Sequence, residues 1–383
     1  MMTPHLYRQL EDQLSQWVKP KDQRHLRGVS EVVAAILQSG SACLSHWLPY
    51  LGHRNCQGRS HMARLEYLLN NPAVTSQDYF QQVMKVWLSR WKGMEVTLAL
   101  DTSLFWNQYC LMEVSLVWGG RSIPLAQEVI EHASASVSFE AYRPVLESAR
   151  EVLPSDCTVT LLADRGFEHL ALMDWCQQHQ WHWCIRTQSD LLVSLKNGRR
   201  YPVSQLLPPK EEARFYRHVT VRDEIPCHLA LANLSQAGEA WSLVTDKDPS
   251  LQTFSEYGQR FGAIEPLFKD YKSAAFDLLR SRLRSAEALS RLLMLLALAY
   301  LLAVHLALVV MFHGQRKRLD WHSQRGLSFL QLGLREIQRR LYLGLGYPLL
   351  TPLPRCNPPT ACASRRKRRH LQLRLEFARV STA

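Results

Sequence analysis

Three acidic residues stand where their side chains could hold metal ions. Asp101 ends the apolar run Val96–Leu100, and Asp164 ends a second apolar run, Val159–Ala163. Glu265 lies in a later segment that is rich in basic and aromatic residues. Two acids at strand ends and one on a later helix can converge and hold two Mg²⁺ ions about 4 Å apart, which is an arrangement that cleaves and joins phosphodiesters. The pattern predicts metal-dependent phosphodiester chemistry with these three acids as catalytic metal ligands.

The elements that must position these acids alternate between strand and helix patterns from residue 93 to 186. The expected order is three strands, a helix, a strand, a helix and a strand, over Val96–Leu100, Tyr109–Trp118, Ser122–Val129, Phe139–Val152, Thr158–Ala163, His169–His179 and Trp181–Arg186. This order resembles a ribonuclease H-like core, an α/β fold with a mixed sheet and flanking helices. It places Asp101 on the first strand and Asp164 at the end of the fourth.

The regions around this core differ in pattern. Residues 1–92 are predicted to be helical, either as a DNA-binding domain or as a plain helical scaffold. Residues 187–250 are predicted to form a β-rich insertion subdomain. Residues 251–347 return to the core with the helix that carries Glu265 and the C-terminal helices.

The last segment, residues 348–383, combines a proline-rich linker with a basic tail. A polycationic run suits phosphate backbones, although a solubilising tail is the alternative. The candidate DNA-binding residues of the tail are Arg365, Arg366, Lys367, Arg368 and Arg369.

Composition favours a basic globular protein with a polyanionic partner. The 383 residues carry 46 Lys and Arg against 34 Asp and Glu, for a net charge of +12, and nucleic acid is the default partner for such a chain. The nine cysteines form no C-x-x-C pair, which indicates free thiols in a reducing compartment. The N-terminal residues lack the apolar core of a signal peptide. We therefore expect a cytoplasmic protein associated with the bacterial nucleoid.

Two further patterns have ordinary explanations. Residues 286–312 are long and apolar enough to cross a bilayer, but a buried core helix is favoured and no membrane partner is expected. Cys43, His46, His53 and Cys56 form a possible zinc pattern, but the six residues between the two histidines make a loop much shorter than in a usual zinc finger. Ordinary helix-loop residues are the favoured interpretation.

Three motifs together resemble the insertion-sequence DDE transposases that carry a Y-R-E-K signature and a β-strand insertion. Each motif is weak alone, and the resemblance depends on their order and on the β-rich stretch between the second and third. It covers about residues 25–345. The motifs are Leu100-Asp101-Thr102-Ser103, Ala163-Asp164-Arg165-Gly166-Phe167, and the series Tyr257, Arg260, Glu265 and Lys272.

The resemblance implies a function for the whole chain. The three acids would coordinate two Mg²⁺ ions, for which Mn²⁺ substitutes, and Tyr257, Arg260 and Lys272 would grip the DNA backbone near the scissile phosphate. The partners would be double-stranded DNA, as terminal inverted repeats and as target, and a second copy of the chain in a synaptic dimer. The reaction would be strand cleavage and strand transfer in cut-and-paste transposition.

One feature departs from the family pattern. Four residues separate Arg260 from Glu265, one more than the family usually has. In an unbroken helix this residue rotates Glu265 away from Arg260 by about 100°, and Pro266 is unfavourable in a helix interior. We expect a bulge or helix restart at Gly262–Pro266 that absorbs the extra residue. Asp270 is a second choice for the third acid, expected to be solvated.

Two other functions fit the same residues. A transposase-derived protein that has lost catalysis would bind DNA ends without cutting them. A related ribonuclease H-like nuclease would cut DNA without rejoining it and without preference for inverted repeats.

Overall fold

In the part of the chain that the structure describes, eleven strands form one mixed sheet. The computed structural model describes residues 5–51, 55–234, 239–322, 326–359 and 379–382. The strands are β1 (Glu95–Phe105), β2 (Tyr109–Trp118), β3 (Arg121–Glu131), β4 (Thr158–Ala163), β5 (His182–Arg186), β6 (Leu192–Ser194), β7 (Arg200–Pro202), β8 (Glu212–Val221), β9 (Ile225–Asn233), β10 (Trp241–Thr245) and β11 (Arg379–Thr382).

The first five strands have the expected ribonuclease H-like arrangement. They lie in the order β3-β2-β1-β4-β5. Strands β1, β2 and β3 form an antiparallel meander, and β4 lies parallel to both β1 and β5. The fold prediction is therefore confirmed, although β1 extends beyond its expected end and carries Asp101 inside the strand.

The insertion strands continue this sheet. Strand β10 pairs antiparallel with β5, and the order then runs β10-β9-β8-β6-β7, with β11 on β8. Main-chain hydrogen bonds therefore connect the insertion directly to the edge of the ribonuclease H-like core.

Ten α-helices flank the sheet in the described part of the chain. The apolar helix Ala286–Phe312 is buried over 94% of its most apolar stretch, which is the burial expected of a core helix. The helices are α1 (Leu6–Leu14), α2 (Gln23–Ser39), α3 (Gly58–Asn70), α4 (Phe80–Trp87), α5 (Phe139–Val152), α6 (Leu170–Gln178), α7 (Val203–Leu206), α8 (Leu251–Lys269), α9 (Ala286–Phe312) and α10 (Phe329–Tyr342).

Helix α9 joins the N-terminal region to the core. Helices α2, α3 and α4 contact it, as do α10 and strand β3. Ser285 caps the N-terminus of α9. Its side-chain Oγ accepts a hydrogen bond from the main-chain N–H of Ala288 at 3.2 Å. The helical N-terminal region predicted from sequence is present and packs on the same core.

The proline-rich segment is extended but fixed in place. The indole Nε1 of Trp87 donates to the carbonyl of Thr351 at 3.1 Å, and the N–H of Leu353 donates to the carbonyl of Trp87 at 2.8 Å. Leu353 is fully buried. These contacts hold residues 351–353 against the C-terminal end of α4. The basic run Arg365–Arg369 lies outside the described residues.

Candidate active site

Parallel pairing of β1 with β4 brings two of the three predicted acids together. The last pair in the register joins Leu100 to Ala163, and the next residue on each strand is an aspartate, Asp101 and Asp164. Both aspartates are fixed by the local main chain. The Oδ1 of Asp101 accepts from the N–H of Thr102 at 2.8 Å, and the Oδ1 of Asp164 accepts from the N–H of Gly166 at 2.8 Å. The second oxygen of each carboxylate, Oδ2, faces the side chain of Arg260.

The guanidinium of Arg260 lies between these two carboxylates. Its Nη2 is 2.8 Å from Oδ2 of Asp101 and 3.8 Å from Oδ2 of Asp164. Arg260 is 2% exposed, and neither its Nε nor its Nη2 is aligned for a hydrogen bond. The position between the aspartates therefore attracts a cation, and an arginine side chain supplies the positive charge.

Burial and charge oppose each other at Asp101. Burial raises the pKa of Asp101 to about 6, against the lowering effect of Arg260, while the negative charges of Asp164 and Glu265 add to the increase. Because this pKa lies only slightly below neutral pH, the ionised form of Asp101 is only weakly favoured there. A further cation near Asp101, or a metal cation in the place of the Arg260 guanidinium, would favour the ionised form of Asp101.

Helix α8 carries the third acid on an exposed position. The helix is continuous from Leu251 to Lys269, with Pro266 inside it, so the bulge expected at Gly262–Pro266 is absent. Pro266 removes the helical hydrogen bond to the carbonyl of Gly262, and a Cβ added to Gly262 would meet no atom outside the local helix backbone within 4 Å. Because the helix is unbroken, Ile264 lies one turn from Arg260 and is fully buried, whereas Glu265 is exposed.

The helical irregularity occurs after Glu265. Residues Asp270–Ala274 form a π-helical turn, which inserts one residue into the helical repeat. Lys272 lies in this turn, half-buried, with its Nζ 5.5 Å from the centre of the Phe105 ring. Asp270, which was expected to be solvated, is 8% exposed, and burial raises its pKa to about 6.

The two remaining signature residues on α8 are buried in this structure. Tyr257 is fully buried, and its ring packs edge-on against Trp241 and Phe261, with centroid distances of 5.8 Å. Arg260 is enclosed with the aspartates. DNA contact by either side chain would require α8 to move. Arg165, from the second motif, pairs with Glu239 at 3.3 Å.

The two aspartates fit a divalent cation, but they do not form a complete site. Carboxylate oxygens are the ligands that Mg²⁺ prefers, and the Arg260 guanidinium stands in for a cation beside them. Across the described residues, no group of three His, Cys, Asp or Glu side chains is placed to hold a metal ion. This also gives no support to the zinc pattern, of which His53 lies outside the described residues.

Glu113 was not singled out from the sequence. It is fully buried on β2, directly opposite Asp101 in the antiparallel pairing. The available signal was a single glutamate within the otherwise mostly apolar strand Tyr109–Trp118. Only the strand register shows that this residue neighbours the aspartates.

Comparison with known proteins identifies the family. The profile of the transposase DDE domain matches residues 108–302, which contain Asp164 and Glu265 and begin just after Asp101. No curated protein matches the chain. A piggyBac transposase, solved in a synaptic complex with hairpin DNA, aligns over 96% of this chain and 87% of its own at 10% identity and a TM-score of 0.43. The match to the domain profile spans half of the sequence, and the chain belongs to the transposase DDE domain family.

Proposed function

We propose that this protein is a metal-dependent DNA transposase that cleaves DNA at the terminal inverted repeats of an insertion sequence and joins the ends to target DNA. The observation that carries the proposal is the pairing of Asp101 with Asp164 around a cation position. Family membership supplies the class of reaction. The site of action would be the cytoplasm, on nucleoid DNA.

Asp101 and Asp164 would hold the divalent ions, with Mg²⁺ as the natural ion and Mn²⁺ as a substitute. Bound ions of this kind activate the attacking oxygen and neutralise the leaving oxygen of a phosphodiester. Arg260 would leave the position between the aspartates as the ions enter. Glu265, exposed on α8, would become the third ligand once DNA is bound and α8 adjusts.

Several cationic groups would hold the DNA. Lys272 lies in the π turn that follows the helical segment of the third acid, and its ammonium group would contact the backbone near the scissile phosphate. Tyr257 and Arg260 would join it after movement of α8. The helical N-terminal region and the basic tail Arg365–Arg369 would add backbone contacts. A homodimer would hold two transposon ends in one complex.

Cleavage of DNA that carries the terminal repeats of the encoding element tests this proposal. With Mg²⁺ we expect nicking at the repeat boundary. Asp101→Asn and Asp164→Asn should each reduce the rate by roughly three orders of magnitude, because several kcal/mol of charge stabilisation is lost, while DNA binding persists. Asp174→Asn, an exposed carboxylate on α6, is the matched control and should cut normally. Full activity in the Asp101→Asn/Asp164→Asn double variant would refute the mechanism.

One observation favours a second candidate, a DNA-binding protein that has lost catalysis. Ile264 occupies the position one turn after Arg260, where the family pattern has its glutamate, and it is fully buried. In that case the protein would bind the repeats and leave them uncut at every Mg²⁺ concentration. Cutting without joining and without preference for the repeats would instead indicate a nuclease.

A further inference from the structure

Glu113 carries a buried carboxylate that the fold itself does not use. The residue is 0% exposed, and within the described part of the chain neither of its oxygens has a hydrogen-bond partner. A buried polar group without a partner costs free energy, about 1–3 kcal/mol or more for a group that can be charged. Most buried polar groups are therefore satisfied, and an exception requires an explanation.

The strand register places this carboxylate at the active site. Glu113 is the direct cross-strand partner of Asp101, and residues paired in this way project from the same face of the sheet. The strand order is β2-β1-β4, so Asp101 stands between Glu113 on one side and Asp164 on the other. Three carboxylates thus occupy one row across three neighbouring strands.

The row continues as a set of unsatisfied polar groups under helix α8. Gln127 pairs with Glu113 across β2 and β3, and its side-chain amide oxygen and nitrogen have no hydrogen-bond partner among the described residues. The hydroxyl of Tyr271 is also buried with no hydrogen-bond partner in the described part of the chain. Burial raises the pKa of Tyr271, and the proximity of Glu113 adds to the increase. Helix α8 packs over β1, β2 and β3. Polar groups without partners therefore concentrate beside the two aspartates.

We propose that Glu113 is an additional carboxylate ligand of the divalent metal centre, on the side of Asp101 away from Asp164. The inference rests on the proposed function of the two aspartates. It gives Asp101 the central place among the ligands, with a neighbouring carboxylate on each side. Among the described residues these three side chains do not form a closed cage, so Glu113 would have to turn toward Asp101 to share a metal ion with it.

Binding of Mn²⁺ to the full chain without DNA tests the assignment. The concentration of free Mn²⁺ is followed by electron paramagnetic resonance for the wild type, Glu113→Gln, Asp164→Asn and Glu128→Gln. Glu128 is the matched control, because it is an exposed carboxylate on β3 and projects from the opposite face to Gln127. We expect Glu113→Gln to weaken Mn²⁺ binding at least about 10-fold and Glu128→Gln to leave it unchanged.

Glutamine distinguishes a metal ligand from a protonated structural residue. It has nearly the same shape as a neutral glutamic acid, so an unchanged Mn²⁺ affinity in Glu113→Gln would overturn the assignment. If Asp164→Asn then still weakened binding, the aspartate centre would stand and only Glu113 would be excluded. A wild type that binds no Mn²⁺ would contradict both proposals.

A second variant tests whether weaker Mn²⁺ binding results from loss of the ligand and not from misfolding. Glu113→Asp keeps the charge but withdraws the carboxylate by one methylene, and it should also weaken Mn²⁺ binding in a protein that melts cooperatively. Wild-type affinity in a folded Glu113→Asp protein would argue against a ligand at this position.

Discussion

Arg260 and Asp101 form a buried ion pair at the centre of the site, with 2.8 Å between Nη2 and Oδ2. The side chains are 3% and 15% exposed. The same nitrogen lies 3.8 Å from Asp164. The arginine therefore compensates the charge of two carboxylates that would otherwise repel each other in the metal-free protein.

Replacement of this arginine should expose that repulsion. We expect Arg260→Gln to lower the free energy of unfolding by about 3 kcal/mol, because removal of one partner leaves a buried charge uncompensated. Saturating Mn²⁺ should restore roughly that amount by binding the folded state. Thermal unfolding with and without Mn²⁺ measures both effects.

The control for that experiment is Arg217→Gln. Arg217 pairs with the exposed Asp248, and exposed pairs contribute less than about 1 kcal/mol. If Arg260→Gln melted like the control and did not respond to Mn²⁺ more than the wild type, the arginine would not be acting as a stand-in cation.

Replacement of Glu265 should affect cleavage but not stability, which distinguishes Glu265 from the buried pair of Asp101 and Arg260. Because Glu265 is exposed, we expect Glu265→Gln to change the free energy of unfolding by less than about 0.5 kcal/mol. In an active transposase, it should lower the cleavage rate by roughly three orders of magnitude. Cleavage kinetics and melting curves of the same preparations decide this.

Glu256→Gln provides a comparison on the same helix. Glu256 is half-buried on α8 and accepts a hydrogen bond from Gln252, and its replacement should leave cleavage unchanged. Equal rates for Glu265→Gln and Glu256→Gln in a protein that cuts would remove Glu265 from the catalytic set.

The contact between α9 and α10 depends on a glycine. A Cβ added to Gly333 would lie 1.9 Å from the carbonyl oxygen of Ala303, and main-chain atoms of a buried helix cannot yield locally. We expect Gly333→Ala to destabilise the protein by at least about 3 kcal/mol through overpacking. Gly314→Ala is a poor control because Gly314 has a positive φ. Gly262→Ala, in open space on α8, should be neutral or slightly stabilising. Chemical denaturation of both variants measures the difference.

His305 should make stability depend on pH. Burial lowers its pKa to about 4, and its ring nitrogens contact the hydroxyls of Tyr347 and Thr351 at 3.3 and 3.2 Å. The unfolded chain takes up a proton at this residue near pH 6.5, whereas the folded chain does so only near pH 4. The contribution of His305 to stability is therefore complete above pH 6.5 and decreases by up to about 3 kcal/mol as the pH falls to 4.

A comparison with His305→Gln isolates this contribution. Asp101 has the opposite sign, because its raised pKa favours the folded state as the pH falls, but its effect is common to both proteins. The stability difference between wild type and variant should shrink as the pH falls from 6.5 to 4. A constant difference across this range would contradict the expected titration.

Much of the local structure follows from the sequence. The strand Tyr109–Trp118 and the helices Phe139–Val152 and 286–312 have the predicted bounds, since apolar periodicity and turn residues act over short distances. The same signals located Asp101 and Asp164 at the ends of apolar runs. The expected ribonuclease H-like fold places β1 and β4 side by side in parallel, and this pairing brings the two aspartates together.

The arrangement of side chains within the site depended on packing between distant parts of the chain. Whether Glu265 faces the aspartates depends on how α8 rotates about its axis, and the buried face that includes Ile264 determines that rotation. The partners of Arg260 and the place of Glu113 depend on strand register and on which helix covers the sheet. The sequence by itself determined the elements and two of the acids, because those signals are local. Only the tertiary structure decided which charges meet, because each contact joins residues far apart in the chain.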